Sequence, residues 1–225
     1  MNDSKFGSKY RSIIFDLGRV LINWKPEDII KDIFKDEAEI PMYLMELATG
    51  PFMDKVDRGI ITYDNVHEYL PAGFDKEFVI KFHRMIPNYL TPIAEGLQIF
   101  DAIKARGYKT YILSNFGKEE FEAVSSRYPF LQQFDGGIIS YRVNHVKPEP
   151  EIYNILLETY GLNPAECLFI DDREDNIAAG KARGIDGIVC SDHATVVAEL
   201  QRMNVLEKDF IMNIIPVPSP VKELA

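Results

Sequence analysis

Apolar and polar positions follow two different rhythms along this chain, and the change between them divides it. From Gly107 onward, each short apolar run is followed by a helical pattern: KTYILS by KEEFEAVSSRY, GIIS by EPEIYNILLETY, CLFI by EDNIAAGKARG, and GIVC by ATVVAELQRM. Turn signals at Gly107, Gly136-Gly137, Asn163-Pro164 and Gly184 punctuate the series. Short apolar runs suit strands covered on both faces, and only a crossover returns the chain for the next parallel strand. The alternation therefore predicts a parallel sheet with helices on both faces. SIIF at residues 12–15 has the same strand character, so the sheet is expected to begin there. Residues 92–106 read as a helix opening on Pro92, with Ile93, Leu97, Phe100 and Ile103 at helical spacing.

Residues 24–90 carry no convincing strand. Their apolar positions recur at helical spacing: Ile29, Ile30, Ile33 and Phe34; Val66, Tyr69 and Leu70; Phe78, Val79, Phe82 and Ile86. GIITYDNVHEYL reads as a loop followed by a helix capped at Thr62. The expected architecture is α/β: a doubly wound, Rossmann-like parallel-sheet core with a small α-helical cap inserted after the first strand. Residues 8–23 and 91–206 form the core and residues 24–90 the cap. Residues 207–225 form a C-terminal tail ending in the proline-rich IIPVPSPVKELA, expected to run extended on the surface or to fray.

Composition narrows the choice of partners. The formal net charge of −10 argues against nucleic acid and anionic lipid, both of which need a basic face. No apolar run is long enough to cross a bilayer, and MNDSKFGSKYRS lacks the apolar stretch of a secretory signal. A cytoplasmic protein is expected. Cys167 and Cys190 each sit at the edge of an apolar run and read as buried free thiols. His67, His83, His145 and His193 show no zinc-like spacing.

Ligands of an open parallel sheet bind at the carboxyl ends of its strands, so the residues just past each predicted strand are the candidates. Asp16, Leu17 and Gly18 follow SIIF, and Ser114 and Asn115 follow KTYIL. Lys147 lies in VNHVKPEP shortly after GIIS, and Asp171 and Asp172 follow CLFI. Singly, such an aspartate is most often a turn or cap residue, and such a lysine a solvated one. Together they bring hard oxygen ligands for magnesium, and donors with a fixed cation for phosphoryl oxygens, to one edge. Asp175 and Asn176 either cap the next helix or brace the metal ligands.

The order FDLGRV, LSN, VKPEP and FIDD resembles the four motifs of the haloacid dehalogenase-like superfamily, nearest to its phosphatase branches. The resemblance covers nearly the whole chain, and many members carry a small helical cap where residues 24–90 lie. It implies a magnesium-dependent phosphomonoester hydrolase acting on a small phosphorylated metabolite, with a sugar phosphate favoured, through an aspartyl-phosphate intermediate. Asp16 matches the nucleophile, whose second oxygen would ligate magnesium. The backbone carbonyl of Gly18 and the carboxylate of Asp172 would join it, while Asp171 would act through water or orient Lys147. Ser114, Asn115 and the N–H groups after them would hold phosphoryl oxygens, and Lys147 would neutralise charge in the transition state. Asp57, Arg58 and Gly59 are the cap candidates for contact with the leaving group, Arg58 foremost as a substrate-binding residue. Arg19 and Trp24, just past the nucleophile, also stand where the substrate would lie.

One position departs from the pattern. The phosphatase motif usually carries a second aspartate two residues after the nucleophile, which protonates the leaving group and then activates water. Here that position is Gly18. Members resembling α-glucose-1-phosphate phosphatase share this D-x-G form, which keeps the phosphatase reading first. A 2-haloacid dehalogenase-like enzyme needs no such acid and no metal, but the adjacent Asp171 and Asp172 would then repel without a cation. A decayed phosphate site serving as a binding or regulatory protein is the third reading. His145, two residues before Lys147, is a candidate replacement for the missing proton donor.

Overall fold

The computed structural model describes residues 7–33 and 40–213. Phe34 and the IIPVPSPVKELA segment lie outside the described residues. Five strands form one sheet: β1 (Ser12–Phe15), β2 (Lys109–Ser114), β3 (Gly136–Ile139), β4 (Cys167–Asp171) and β5 (Asp186–Val189). Their order is β3-β2-β1-β4-β5 and every pairing is parallel. The chain builds outward from β1 on one side and then returns to build on the other, so the crevice lies beside the carboxyl end of β1. Phe15 pairs with both Ile112 and Ile170, and the Asp16 N–H donates to the Ile170 carbonyl at 2.9 Å. Register alone thus sets Asp16 beside Asp171.

Within residues 24–90 the described residues form four α-helices: α1 (Pro26–Ile33), α2 (Ile40–Tyr43), α3 (Pro51–Asp57) and α4 (Lys76–Tyr89), with a π-helical turn at Leu44–Ala48. The chain leaves and re-enters the core through adjacent segments, where Asn23 N–H donates to the Thr91 carbonyl and Ile93 N–H to the Leu21 carbonyl. Asp75 caps α4, its carboxylate accepting from the Phe78 N–H at 2.8 Å. The helix expected from Thr62 is absent. Only a 3₁₀ turn, Val66–Glu68, forms there. The Asn65 side chain accepts from the Thr62 N–H at 2.7 Å and donates to the Ile60 carbonyl at 2.9 Å, closing a local turn that competes with a helix. Pro71 and a left-handed Gly73 (φ 86°) then follow too soon for a helix to propagate.

The remaining helices are α5 (Ala94–Ala105), α6 (Lys118–Arg127), α7 (Ser140–Val143), α8 (Pro150–Tyr160), α9 (Glu174–Lys181) and α10 (His193–Arg202). Strand periodicity assigns them to two faces. Ile13, Phe15, Ile112, Leu168 and Ile170 point into a core shared with α5, α6, α10 and the inserted helices. Ile14, Tyr111, Leu113 and Phe169 point the other way, onto α8 and α9. Phe100 and Phe134 pack against Phe15 at centroid distances of 5.8 and 6.0 Å. Past α10, the Gln201 amide donates to three carbonyls between Glu207 and Phe210, so the described start of the tail is docked. Among the described residues no helix is long and apolar enough to cross a membrane. Both cysteines are buried and free.

Candidate active site

The loop after β1 is tight. Leu21 and Ile22 N–H groups both donate to the Leu17 carbonyl, and Arg19 is held at φ 56°. This returns the chain abruptly and leaves Asp16 at the strand end, only 6% exposed. Its Oδ1 accepts from Ser114 Oγ at 2.7 Å and sits 2.8 Å from Lys147 Nζ. Lys147 Nζ also donates to Asp171 Oδ2 at 2.6 Å. Asp171 is saturated. Its two oxygens further accept from the Arg173 N–H and from both approaches of the Asn176 amide. The structure thus makes Asp171 and Asn176 the support that holds Lys147 against Asp16. Asp175 instead pairs with exposed Arg173 at the start of α9.

Two residues expected to bind phosphate have other immediate partners. Ser114 is fully buried and spends its hydroxyl on Asp16. The Asn115 side chain is used at both ends by the Lys147 backbone, accepting from its N–H at 2.7 Å and donating to its carbonyl at 3.0 Å. Both contacts have one cause. A buried polar group takes the nearest satisfying partner, and here that partner is another site residue.

One oxygen each from Asp16, Asp171 and Asp172 can lie within 4.8 Å of the others, the spacing of a shared cation. Burial pushes the Asp16 carboxyl up to about 6 against the pull of Lys147, with Asp171 adding to the rise. Burial first, and Asp171 second, also raise Asp172, which Arg19 approaches only to 3.7 Å. An all-oxygen donor set under mutual repulsion fits a hard divalent cation. Because Asp171 is already saturated, Asp16 and Asp172 are the side chains with capacity to hold one.

These residues open into a cavity of roughly 190 Å³. Asp16, Gly18, Lys147 and Asp172 line its floor, and Trp24, Met53, Val56, Ile86 and Leu90 its inserted-helix wall, with Phe116 from the core. Asp57 and Glu120 are the acids above the floor. Arg58 does not line the cavity. Its guanidinium is held by Glu149 at 2.6 Å and Asp54 at 2.9 Å, which ties α3 to the loop before α8. A bidentate carboxylate is a stronger local partner than an open chamber. His145 is likewise outside, its ring 3.3 Å from Glu149. Gly18 is not among the left-handed glycines, and a Cβ there would meet only Asp16 Oδ2, at 3.9 Å.

A family model described as haloacid dehalogenase-like hydrolase matches residues 10–184. The chain belongs to that family. Within the haloacid dehalogenase-like hydrolases it lies on the phosphatase branch. It is 33% identical over 188 residues to the D-ribitol-5-phosphate phosphatase of Bacteroides thetaiotaomicron, spanning 78% of this chain and 89% of that one. It is 24% identical over 196 residues to a sesquiterpene phosphatase of Aspergillus oryzae, spanning 86% of this chain and 96% of the relative. It covers only 20% of the bifunctional epoxide hydrolase 2 of Mus musculus, a further relative. A solved family enzyme from Bacteroides thetaiotaomicron, in complex with magnesium and inorganic phosphate, superposes with a TM-score of 0.61 at 25% identity. That match covers 80% of this chain and 93% of the other.

For this haloacid dehalogenase-like hydrolase, sequence reasoning missed Glu120 and His83. Glu120 lies in α6, 3% exposed, 2.9 Å from the fully buried His83 of α4. Among the acids of KEEFEAV nothing marks Glu120 as buried. Only the structure shows how closely Gly117 approaches it: a Cβ there would strike the Glu120 carboxylate at 2.2 Å.

Proposed function

We propose that this protein is a magnesium-dependent phosphomonoester hydrolase working through a phosphorylated Asp16. The observation that carries the reading is Asp16 itself, a buried carboxylate with Oδ1 pinned by Ser114 and Lys147 at the floor of a cavity. Such pinning orients a nucleophile in advance, and the ammonium beside it offsets charge as the anionic phosphate approaches. Asp171, Asn176 and Asn115 keep Lys147 in place during that approach. Asp16 and Asp172, with the Gly18 carbonyl, would hold magnesium, which when bound polarises the phosphoryl oxygens and relieves carboxylate repulsion. A cytoplasmic setting accords with two buried, unpaired thiols.

The proposed substrate is a small sugar or polyol phosphate. Thr49 and Glu120 supply acceptors for hydroxyls, and a relative is named for D-ribitol 5-phosphate. The apolar wall of Trp24, Met53, Val56, Ile86, Leu90 and Phe116 supports a second reading, an apolar prenyl-type monophosphate, as does the sesquiterpene phosphatase relative. A panel of both classes, assayed with magnesium and with a chelator, decides between them. Asp16→Asn should lower turnover of every active ester at least about a thousandfold, because an amide is a poor nucleophile. Near wild-type turnover in Asp16→Asn, or full activity in metal-free buffer, refutes this mechanism.

A further inference from the structure

The inference rests on the phosphatase reading and concerns the proton that Gly18 cannot supply. When the ester bond to phosphorus breaks, the departing oxygen needs a proton unless it leaves as a stable anion. Among the described residues lining the cavity, the titratable side chains are Asp16, Arg19, Asp57, Glu120, Lys147, Asp172 and Arg173. Asp16 is the nucleophile, Lys147 is clamped between Asp16 and Asp171, and Asp172 belongs to the cation cluster. Arginines do not give up a proton at usable pH. Glu120 faces His83 at 2.9 Å. His145, which sequence reasoning put forward, is turned to Glu149 outside the cavity. Asp57 is left.

We propose that Asp57, at the carboxyl end of α3, protonates the leaving oxygen and then takes the proton of the attacking water. Its backbone is bolted to the core while its carboxyl stays free. The Asp57 carbonyl accepts from Ser140 Oγ, and the same Ser140 Oγ accepts from the Phe116 N–H at 2.9 Å. Next in sequence, the Arg58 carbonyl accepts from the Asn144 amide at 2.8 Å and the Arg58 guanidinium grips Glu149. Gly59, at φ 71°, follows against Tyr141, where a Cβ would come within 3.0 Å of a carbonyl. These contacts fix where Asp57 stands. Its carboxyl makes no hydrogen bond or ion pair with a described residue, and it lines the same cavity as Asp16 and Gly18.

Its surroundings favour the protonated form. Burial is the main cause of a carboxyl pushed well above the usual range, and the carboxylates of Glu120, Asp54 and Asp16 add to it in that order. Lys147 pulls the other way. A carboxyl whose proton is held more tightly than that of an ordinary surface aspartate is suited to donate it in the cavity. In the first step an Asp16 oxygen bonds to phosphorus, the ester P–O bond breaks, and the Asp57 proton moves to the alcohol oxygen. In the second, water bonds to phosphorus, its proton passes to Asp57, and the P–O bond to Asp16 breaks. Both side chains return to their starting states, and the sum is ester plus water to alcohol plus phosphate.

The test is a series of phosphate esters of graded leaving-group basicity, from p-nitrophenyl to primary alkyl, assayed with magnesium. Asp57→Asn should cost about a hundredfold or more on alkyl esters and markedly less on the aryl ester, steepening the dependence. The alkaline fall of the wild-type rate, where Asp57 loses its proton, should disappear. Gly18→Asp placed in the Asp57→Asn background should restore alkyl hydrolysis at least tenfold, since the backbone and space at Gly18 admit a side chain. Asp57→Ala, with melting curves for all variants, gives the same readout if the Asn variant folds poorly. Equal losses on aryl and alkyl esters, or an unchanged dependence, overturn the assignment of Asp57 alone. Failure of folded wild type to hydrolyse any ester overturns the phosphatase reading and the assignment together.

Discussion

On the floor of the cavity, groups from three strand ends, the loop after α7 and the start of α9 hold one another. Ser114 and Lys147 fix Asp16, Asp171 and Asn176 fix Lys147, and Asn115 fixes the Lys147 backbone. The wall from the inserted helices has a different construction: apolar side chains, with Asp57 free at its edge. A network in which each polar group is satisfied is rigid, and shifting one member disturbs the rest. An apolar wall can be resculpted side chain by side chain, because its contacts are non-directional. Floor changes should therefore act on all substrates alike, and wall changes on their ranking.

The largest effect that could break this contrast lies on the floor. Lys147→Ala should lower kcat by about a hundredfold or more for sugar, prenyl and aryl phosphates together. A change confined to KM, or to one substrate class, would show that Lys147 only assists ground-state binding. On the wall, Met53→Ser removes an apolar, partly buried side chain. It should change the relative kcat/KM of an apolar against a polyol phosphate by about tenfold, with aryl ester turnover moving less. An equal change in every substrate would make the wall part of the catalytic frame.

The smallest effect belongs to the tether between floor and wall. Arg58 holds Glu149 chiefly by hydrogen bonding and so lowers its carboxyl to about 2. A lowered carboxyl stabilises the fold above its ordinary value and loses that contribution as pH falls through about 2. Glu149 is one-third exposed, so screening leaves about 1 kcal/mol. Glu149→Gln should melt lower than wild type at pH 7, and the gap should narrow as the pH falls from 4.5 toward 2. A gap unchanged with pH would mean that the tether is packing rather than charge.

By itself, the sequence determined the five strands, their order of appearance and the main helix that follows each of β2, β3, β4 and β5. Apolar runs of strand length cannot be buried singly, and crossovers force them parallel. It also determined which residues stand at the strand ends, since a residue past a strand has one place to be. Tertiary structure decided what those residues touch. Ser114 meets Asp16 across 98 residues of chain, and Asn115 meets Lys147 across 32, distances over which no local pattern carries information. The Thr62 helix failed because the Asn65 side chain satisfied the backbone locally, a competition that periodicity does not register. Arg58 and Asp57 are neighbours in sequence, yet one turns to Glu149 and the other to the cavity. Only the packing of α3 on the core separates them, because side-chain direction follows from which face of a helix is buried and not from residue type.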